Sequence, residues 1–267
     1  TQSRSSAASD VYKRQYQKLS ATIITLNEER NIGRCIDSLL SIADEIIVLD
    51  SFSTDKTEEI CNAKGVRFEK RQWTGYSDAK NYLNSLASNE YIFSVDADEA
   101  PDVKLQQSIL KAKKQGFQHV YAVNRLTNYC GHWVKHSGWY PDVKIRIFPK
   151  TTSRWEGEFV HEELVLDENS QIETLEGHLL HYSYYNFAEH RERADKYSKL
   201  TAQKLFAKGK KASFFKPYLS ALGRFISMFF IKKGFLDGVM GWKIAIISAK
   251  SNIFKYKELR RLHHEAN

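Results

Sequence analysis

The sequence predicts an α/β fold built on a mostly parallel sheet, and three observations lead there. Short β-branched strand patterns alternate with amphipathic helix patterns from Ser20 to about Arg125. Glycine and proline are few, 13 and 4 in 267 residues, which excludes a collagen-like or low-complexity chain. Three of the strand patterns end in polar or acidic clusters, and ligands of open α/β sheets lie beyond the carboxyl ends of the strands.

In chain order, SATIITL (20–26) has the branched residues of a strand. Asn31 is placed to cap a helix running to Leu40, with Ile32, Cys35, Ile36 and Leu39 on one face. EIIVLD (45–50) is a second strand and Thr54 to Ala63 a second helix. VRFEK (66–70) is a third strand, followed by a helix from Ser77 to Ala87. YIFSV (91–95) is a fourth strand, with a helix from about Asp102 to Gln115, and HVYAVNR (119–125) is a fifth strand.

The strand ends carry NEE (27–29), DSFSTD (50–55) and DADE (96–99). In the last of these, Asp96, Asp98, Glu99 and Asp102 crowd into seven positions, and such carboxylates repel unless a cation is shared among them. No GxGxxG follows the first strand and no GxxxxGK[ST] occurs, which argues against dinucleotide and P-loop sites. An acidic edge without a glycine cradle can hold phosphate through a hard divalent cation, Mg²⁺ or Mn²⁺. Plainer roles compete. Asp50 and Asp55 suit the cap of the following helix, and Glu99 and Asp102 read as solvated acids of a first helical turn. His161 reads as local packing. His178 and His181 lack a third His or Cys for a zinc set, although His181 could approach a metal or diphosphate. Trp133, Trp139, Tyr140 and Trp155 suit either a stacked sugar or the core.

With these residues in place, the chain from about residue 19 to 260 resembles the family 2 glycosyltransferases. The family's opening Asn-Glu is Asn27-Glu28 here, its DSxSTDxT is DSFSTDKT (50–57), its AKN is DAKN (78–81) and its DxD is DAD (96–98). HSGWYPDVKIRIFPK (136–150), GEFVHE (157–162) and GFLDGVMGW (234–242) resemble the subgroup of lipopolysaccharide inner-core β-1,4-glucosyltransferases. The resemblance implies the Rossmann-like glycosyltransferase A fold and an inverting, metal-dependent transfer of a hexose, glucose by subgroup, from a UDP-sugar to a lipid-linked saccharide. It implies that Asp50 accepts from the uracil imide, that Thr25, Asn27 and Glu28 frame the base, and that Lys80 lies near the base or diphosphate. Asp96 would face the ribose and metal, and Asp98 would ligate the metal, with His181 a further candidate. Glu162 is the first choice for the base that takes the acceptor proton, and Asp142 the second. Arg146 could fork onto a diphosphate or acceptor phosphate. A sugar nucleotidyltransferase would need a Gly-rich loop that LNEERNIGR (26–34) lacks, and a non-catalytic, membrane-associated glycan- or nucleotide-sugar-binding module is the rival from another class.

Charge divides the chain. From Lys199 onward there are 15 Lys and Arg against 3 Asp and Glu, within a net charge of +8. Leu222, Phe225, Ile226 and Phe229, then Trp242, Ala245, Ile246, Ala249 and Ile253, follow helical spacing among these cations. That pattern predicts helices on an anionic membrane surface; the alternative is that the stripes pack onto the catalytic domain and the Lys and Arg form a solvated face. The run FISMFFI (225–231) is far short of a span of roughly 20 residues. No nucleic-acid motif is present. Residues 1–15 do not match the rest of the chain and read as an extraneous or disordered lead. The expected organisation is therefore that lead, a catalytic domain over 16–198 and a basic helical region over 199–267. Three scattered cysteines without a CxxC predict a reducing, cytoplasmic compartment. The resemblance, with the basic tail, implies a protein peripheral on the inner face of the bacterial inner membrane.

Overall fold

The computed structural model describes residues 17–157 and 162–266. The expected lead over 1–15 and His161 lie outside the described residues. Two compact units divide the chain: residues up to Arg125 with Val143–His181, and Leu126–Asp142 with the residues from Tyr182 onward.

The alternation read from the sequence is present in the first unit. It runs β1 (Leu19–Thr25), α1 (Ile32–Leu39), β2 (Glu45–Asp50), α2 (Thr57–Ala63), β3 (Arg67–Lys70), α3 (Tyr76–Leu86) and β4 (Tyr91–Asp96). Then come β5 (Glu99–Pro101), α4 (Val103–Gln115), β6 (Val120–Tyr129), β7 (His132–Trp133) and β8 (Asp142–Pro149). A hairpin of β9 (Ser153–Glu156) and β10 (Glu163–Leu166) precedes β11 (Ile172–Tyr184). The main sheet has the order β3-β2-β1-β4-β8-β6-β11-β5. Its β3-β2-β1-β4 half is parallel, as expected, whereas β8 joins β4 and β5 joins β11 antiparallel, so the whole sheet is mixed.

The period of two along each strand sorts residues onto two faces. Leu19, Ala21 and Ile23 of β1, with Val48, Phe93 and Val95, pack under α1 and α4. Ile47, Leu49, Ile92 and Phe148 pack under Ala79 and Leu83 of α3. Helices thus cover both faces, and each fully buried aliphatic side chain contributes about 1.5–3 kcal/mol. The expected cap of α1 differs in detail: the Asn31 side chain donates to Glu28 Oε2 at 2.7 Å and does not cap the helix. The capping role read for Asp55 is present, since its carboxylate accepts from Thr57 N and Oγ1 at 3.0 and 2.6 Å at the start of α2.

In the second unit, α5 (Phe187–Ala207), α6 (Lys216–Ile226) and α7 (Gly238–Glu265) pack together, with α7 against both others. The expected domain boundary at residue 198 falls inside α5. Ser198 Oγ lies 2.5 Å from Ser251 Oγ, and Asn252 Nδ2 donates to Ser220 Oγ at 3.1 Å. A π-helical turn (Ser227–Ile231) and a 3₁₀ turn (Gly234–Asp237) join α6 to α7. The motif GFLDGVMGW is built for this corner. A Cβ on Gly241 would sit 1.8 Å from the Gly234 carbonyl oxygen, so only glycine lets the two segments touch. Asp237 is buried and accepts from Lys135 N at 3.1 Å and His136 N at 2.9 Å, tying the corner to the loop after β7.

Tyr129, Trp139, Tyr184 and His190 form a ring cluster in this unit, and the Tyr129 hydroxyl meets His190 Nδ1 at 2.8 Å. Burial, then the charge of Arg193, push the His190 imidazole from 6.5 down to about 4. The unfolded chain therefore binds a proton that the folded chain refuses between those two values, and stability falls as the pH falls through that window. Lowering the pH from about 7.5 to about 5 is expected to cost about 2 kcal/mol through this group. Urea midpoints of the protein and of His190→Gln, compared at both pH values, check the difference.

Candidate active site

The carboxyl ends of β1, β2 and β4 supply the site, and its loops are laced together by side chains. Asn27 adopts a left-handed backbone with φ 55°. Its N–H donates to Ser53 Oγ at 2.7 Å, and its Oδ1 accepts from Thr54 N at 2.8 Å. Glu28 N donates to Thr57 Oγ1 at 2.9 Å. Asp50 is 0% exposed and accepts from Ser53 N at 2.8 Å and from Ser53 Oγ at 2.5 Å. Asp50 thus folds the turn after β2 and does not cap α2. Thr25 ends β1 opposite Asp50 in the parallel register, with its hydroxyl buried and, among the described residues, without a hydrogen-bond partner.

The acid knot after β4 is neutralised mostly from within. Arg146, on the antiparallel neighbour β8, donates from Nη2 to Asp96 Oδ2 at 2.8 Å and to Glu99 Oε1 at 2.6 Å. Arg125 Nη1 reaches the same Glu99 oxygen at 3.3 Å. Lys80, on the buried face of α3, stands 3.5 Å from Asp96 Oδ1 and 3.5 Å from Glu162 Oε1, with its ammonium 4.5 Å from the Trp155 ring centre. Burial works against the Asp96 charge, but Arg146 and then Lys80 hold its carboxyl well below the usual carboxylate range. Asp98 is different: its Oδ2 meets His181 Nε2 at 3.2 Å, an imidazole in place of a permanent cation. The strand pair β5–β11, with Glu99 opposite His181, brings the two together.

Glu99 corrects the sequence reading. It is not a solvated helix-turn acid but 1% exposed on β5, donor-bonded by two guanidinium groups and accepting from Asp96 N at 3.1 Å. Asp102 does cap α4, accepting from Leu105 N at 2.7 Å, and also meets His178 Nδ1 at 3.1 Å. Trp155 resolves as core, buried against Phe148, and Trp139 belongs to the Tyr129 ring cluster. Of the sequence candidates, Asp96, Asp98, Lys80, Arg146, Glu162 and His181 are drawn into one linked region of the first unit, while Asp142 belongs to the second unit. Glu99 and Arg125 were not among the candidates. Their signal was a basic residue ending the strand pattern at 119–125, without a mark of where its partner lay.

Among the described residues, no three His, Cys, Asp or Glu side chains are grouped to hold a metal. Magnesium-like ions are commonly held by one or two carboxylates together with substrate phosphates, and Asp98 offers such a carboxylate, with the His181 imidazole 3.2 Å away. The residues present therefore fit an ion shared with a bound diphosphate.

The model of the family described as Glycosyl transferase family 2 matches residues 20–185. The chain belongs to glycosyltransferase family 2. Two relatives match along most of the chain. An uncharacterized glycosyltransferase of Rickettsia bellii is 30% identical over 272 residues, covering 94% of this chain and 89% of that protein. The lipopolysaccharide core biosynthesis glycosyltransferase LpsC of Rhizobium meliloti is 28% identical over 245 residues, covering 86% of this chain and 90% of LpsC. Among solved structures, glucosyl-3-phosphoglycerate synthase from Mycobacterium tuberculosis, in complex with Mn²⁺ and UDP-glucose, is 25% identical with a TM-score of 0.36. That match covers 45% of this chain and 47% of the solved one, so this glycosyltransferase spans less than half of that neighbour.

Proposed function

We propose that this glycosyltransferase is an inverting, divalent-metal-dependent hexosyltransferase. It moves a hexose, with glucose the first candidate, from a UDP-sugar to a lipid-linked saccharide such as a lipopolysaccharide core. It works in the cytoplasm, peripheral on the inner face of the bacterial inner membrane. The observation that carries the reading is the Lys80 ammonium, which joins Glu162 to Asp96 at 3.5 Å on either side, two residues from the Asp98–His181 pair. The LpsC relative, by its name, supports the acceptor class.

In this reading Asp50, Asn27, Glu28 and Thr25 frame the uracil end of the donor. Asp98 and His181 would hold a cation, Mg²⁺ or Mn²⁺, which would supply Lewis-acid neutralisation of the diphosphate's charge. Asp96, fixed by Arg146 and Lys80, faces the ribose. Lys80 holds the Glu162 carboxylate in position. The acceptor hydroxyl oxygen bonds to the anomeric carbon as that carbon's bond to the diphosphate oxygen breaks. The hydroxyl proton passes to Glu162 and the electron pair leaves with UDP. A single displacement from the far face inverts the anomeric configuration.

Thermal unfolding with UDP, GDP, CDP and dTDP, each with and without Mn²⁺, tests the donor site. At a UDP concentration about a hundred times Kd, the melting temperature is expected to rise by about 5–10 °C. The rise should require the metal and vanish in Asp98→Asn. A shift with GDP alone, or one that survives without metal, would overturn this assignment.

A further inference from the structure

We propose that the corner between α6 and α7 is a bilayer-docking face that inserts into the interfacial layer of an anionic membrane. This inference rests on the membrane-peripheral reading of the function, and it names the side chains that make the contact.

The apolar residues between Phe225 and Trp242 fall into two sets in the folded chain. Met228 is buried with Tyr129, Val134, Ile244 and Ala245, and Phe225 and Phe229 pack against that cluster. What remains outside is a second, unspent apolar set. Ile231, Leu236 and Val239 are 72%, 57% and 67% exposed, and Phe230, Phe235 and Trp242 are exposed with them. Phe230, Phe235 and Trp242 gather in one patch, and Ile231, Leu236 and Val239 adjoin them along the chain. The Phe229 ring lies 5.2 Å from Phe230, 6.3 Å from Phe235 and 5.4 Å from Trp242, so a single half-buried ring ties the π turn, the 3₁₀ turn and the start of α7 together. A contiguous apolar surface of this kind on a water-soluble face marks a contact site.

Charge decides what it contacts. Lys232 and Lys233 are both exposed within the patch, and Arg224 is exposed on the preceding helix. Between Lys199 and Lys257 the only acid is Asp237, and it is buried and consumed by Lys135 N and His136. The face therefore offers aromatic and branched apolar side chains with a cationic border, and its own segment adds no exposed carboxylate. That is the composition of segments that lie at headgroup depth, with Trp and Phe in the acyl boundary and Lys at the phosphates. Among the described residues no helix is long and apolar enough to cross a membrane, so the contact is from one side.

Flotation of the full chain with vesicles containing phosphatidylglycerol, against vesicles of phosphatidylcholine alone, tests the proposal. The protein is expected to float with the anionic vesicles. Ile231→Ser with Leu236→Ser should weaken binding by about tenfold or more. Lys232→Glu with Lys233→Glu should weaken it by about fivefold or more per charge and remove the preference for phosphatidylglycerol. The UDP-dependent thermal shift should be unchanged in both variants, which shows that they are folded and separates this test from that of the donor site. Equal flotation of the apolar double variant would overturn the proposal. So would failure of the unmodified chain to float, or a concentration-dependent dimer abolished by Ile231→Ser with Leu236→Ser, which would make the face a contact between copies.

Discussion

Glu162→Gln is expected to lower kcat by about a hundred- to ten-thousandfold while UDP with Mn²⁺ still raises the melting temperature. The amide keeps the shape of the carboxylate and a hydrogen-bonding oxygen toward Lys80, 3.5 Å away, but cannot take the acceptor proton. The loss should therefore fall on the chemical step, with donor binding retained. Asp142→Asn, the alternative base, provides the control within the same assay. It begins β8 in the second unit and is expected to cost far less. A larger loss from Asp142→Asn than from Glu162→Gln would transfer the proton-accepting role. Steady-state kinetics with a UDP-sugar donor, run beside the thermal shift, separates these outcomes.

Arg146→Met is expected to destabilise the fold by about 3–5 kcal/mol, because it removes one partner of a buried ion network and leaves the others in place. Among the described residues, the side-chain cations left are Arg125 for Glu99, at 3.3 Å, and Lys80 for Asp96, at 3.5 Å. The melting temperature should fall by about 10 °C. The double change Arg146→Met with Glu99→Met tests whether the cost is the orphaned carboxylate or lost packing. Recovery of about half or more of the lost stability in urea denaturation identifies the orphaned charge. No recovery would assign the loss to the shape of the arginine itself.

These two residues also show what sequence can and cannot say about such a site. The ends of β1, β2 and β4 are legible because each parallel strand announces itself by branched residues and stops at a polar cluster, as at Thr25, Asp50 and Asp96. Lys80 is legible through its place in the AKN pattern. Glu99 is not, because a three-residue strand has no period to read, and an acid before a helix has a ready local explanation. Its true partners, Arg125 and Arg146, stand on β6 and β8, distant in sequence, and only the strand order of the folded sheet brings them within reach. The apolar residues after Leu222 show the same limit. Helical spacing correctly identifies a stripe, but a π turn and a 3₁₀ turn break the helix, and the exposed set is no longer the one that a continuous helix would present.

The short pairing of β5 with β11 has a bearing on inheritance. Leu179, Leu180 and His181 face Pro101, Ala100 and Glu99, and this clip sets His181 against Asp98 however long the intervening chain is. Surface loops between the paired strands can lengthen, shorten or be exchanged over generations without moving either side chain, since added loop residues are thermodynamically cheap. A single-residue insertion inside the clip has the opposite consequence, because a one-residue slip turns every following side chain to the other face. Descendants of this chain are thus free to diverge in the exposed loops between residues 102 and 178, outside the strands, the ion pairs and the buried face of α4, while six paired residues keep the two donors together.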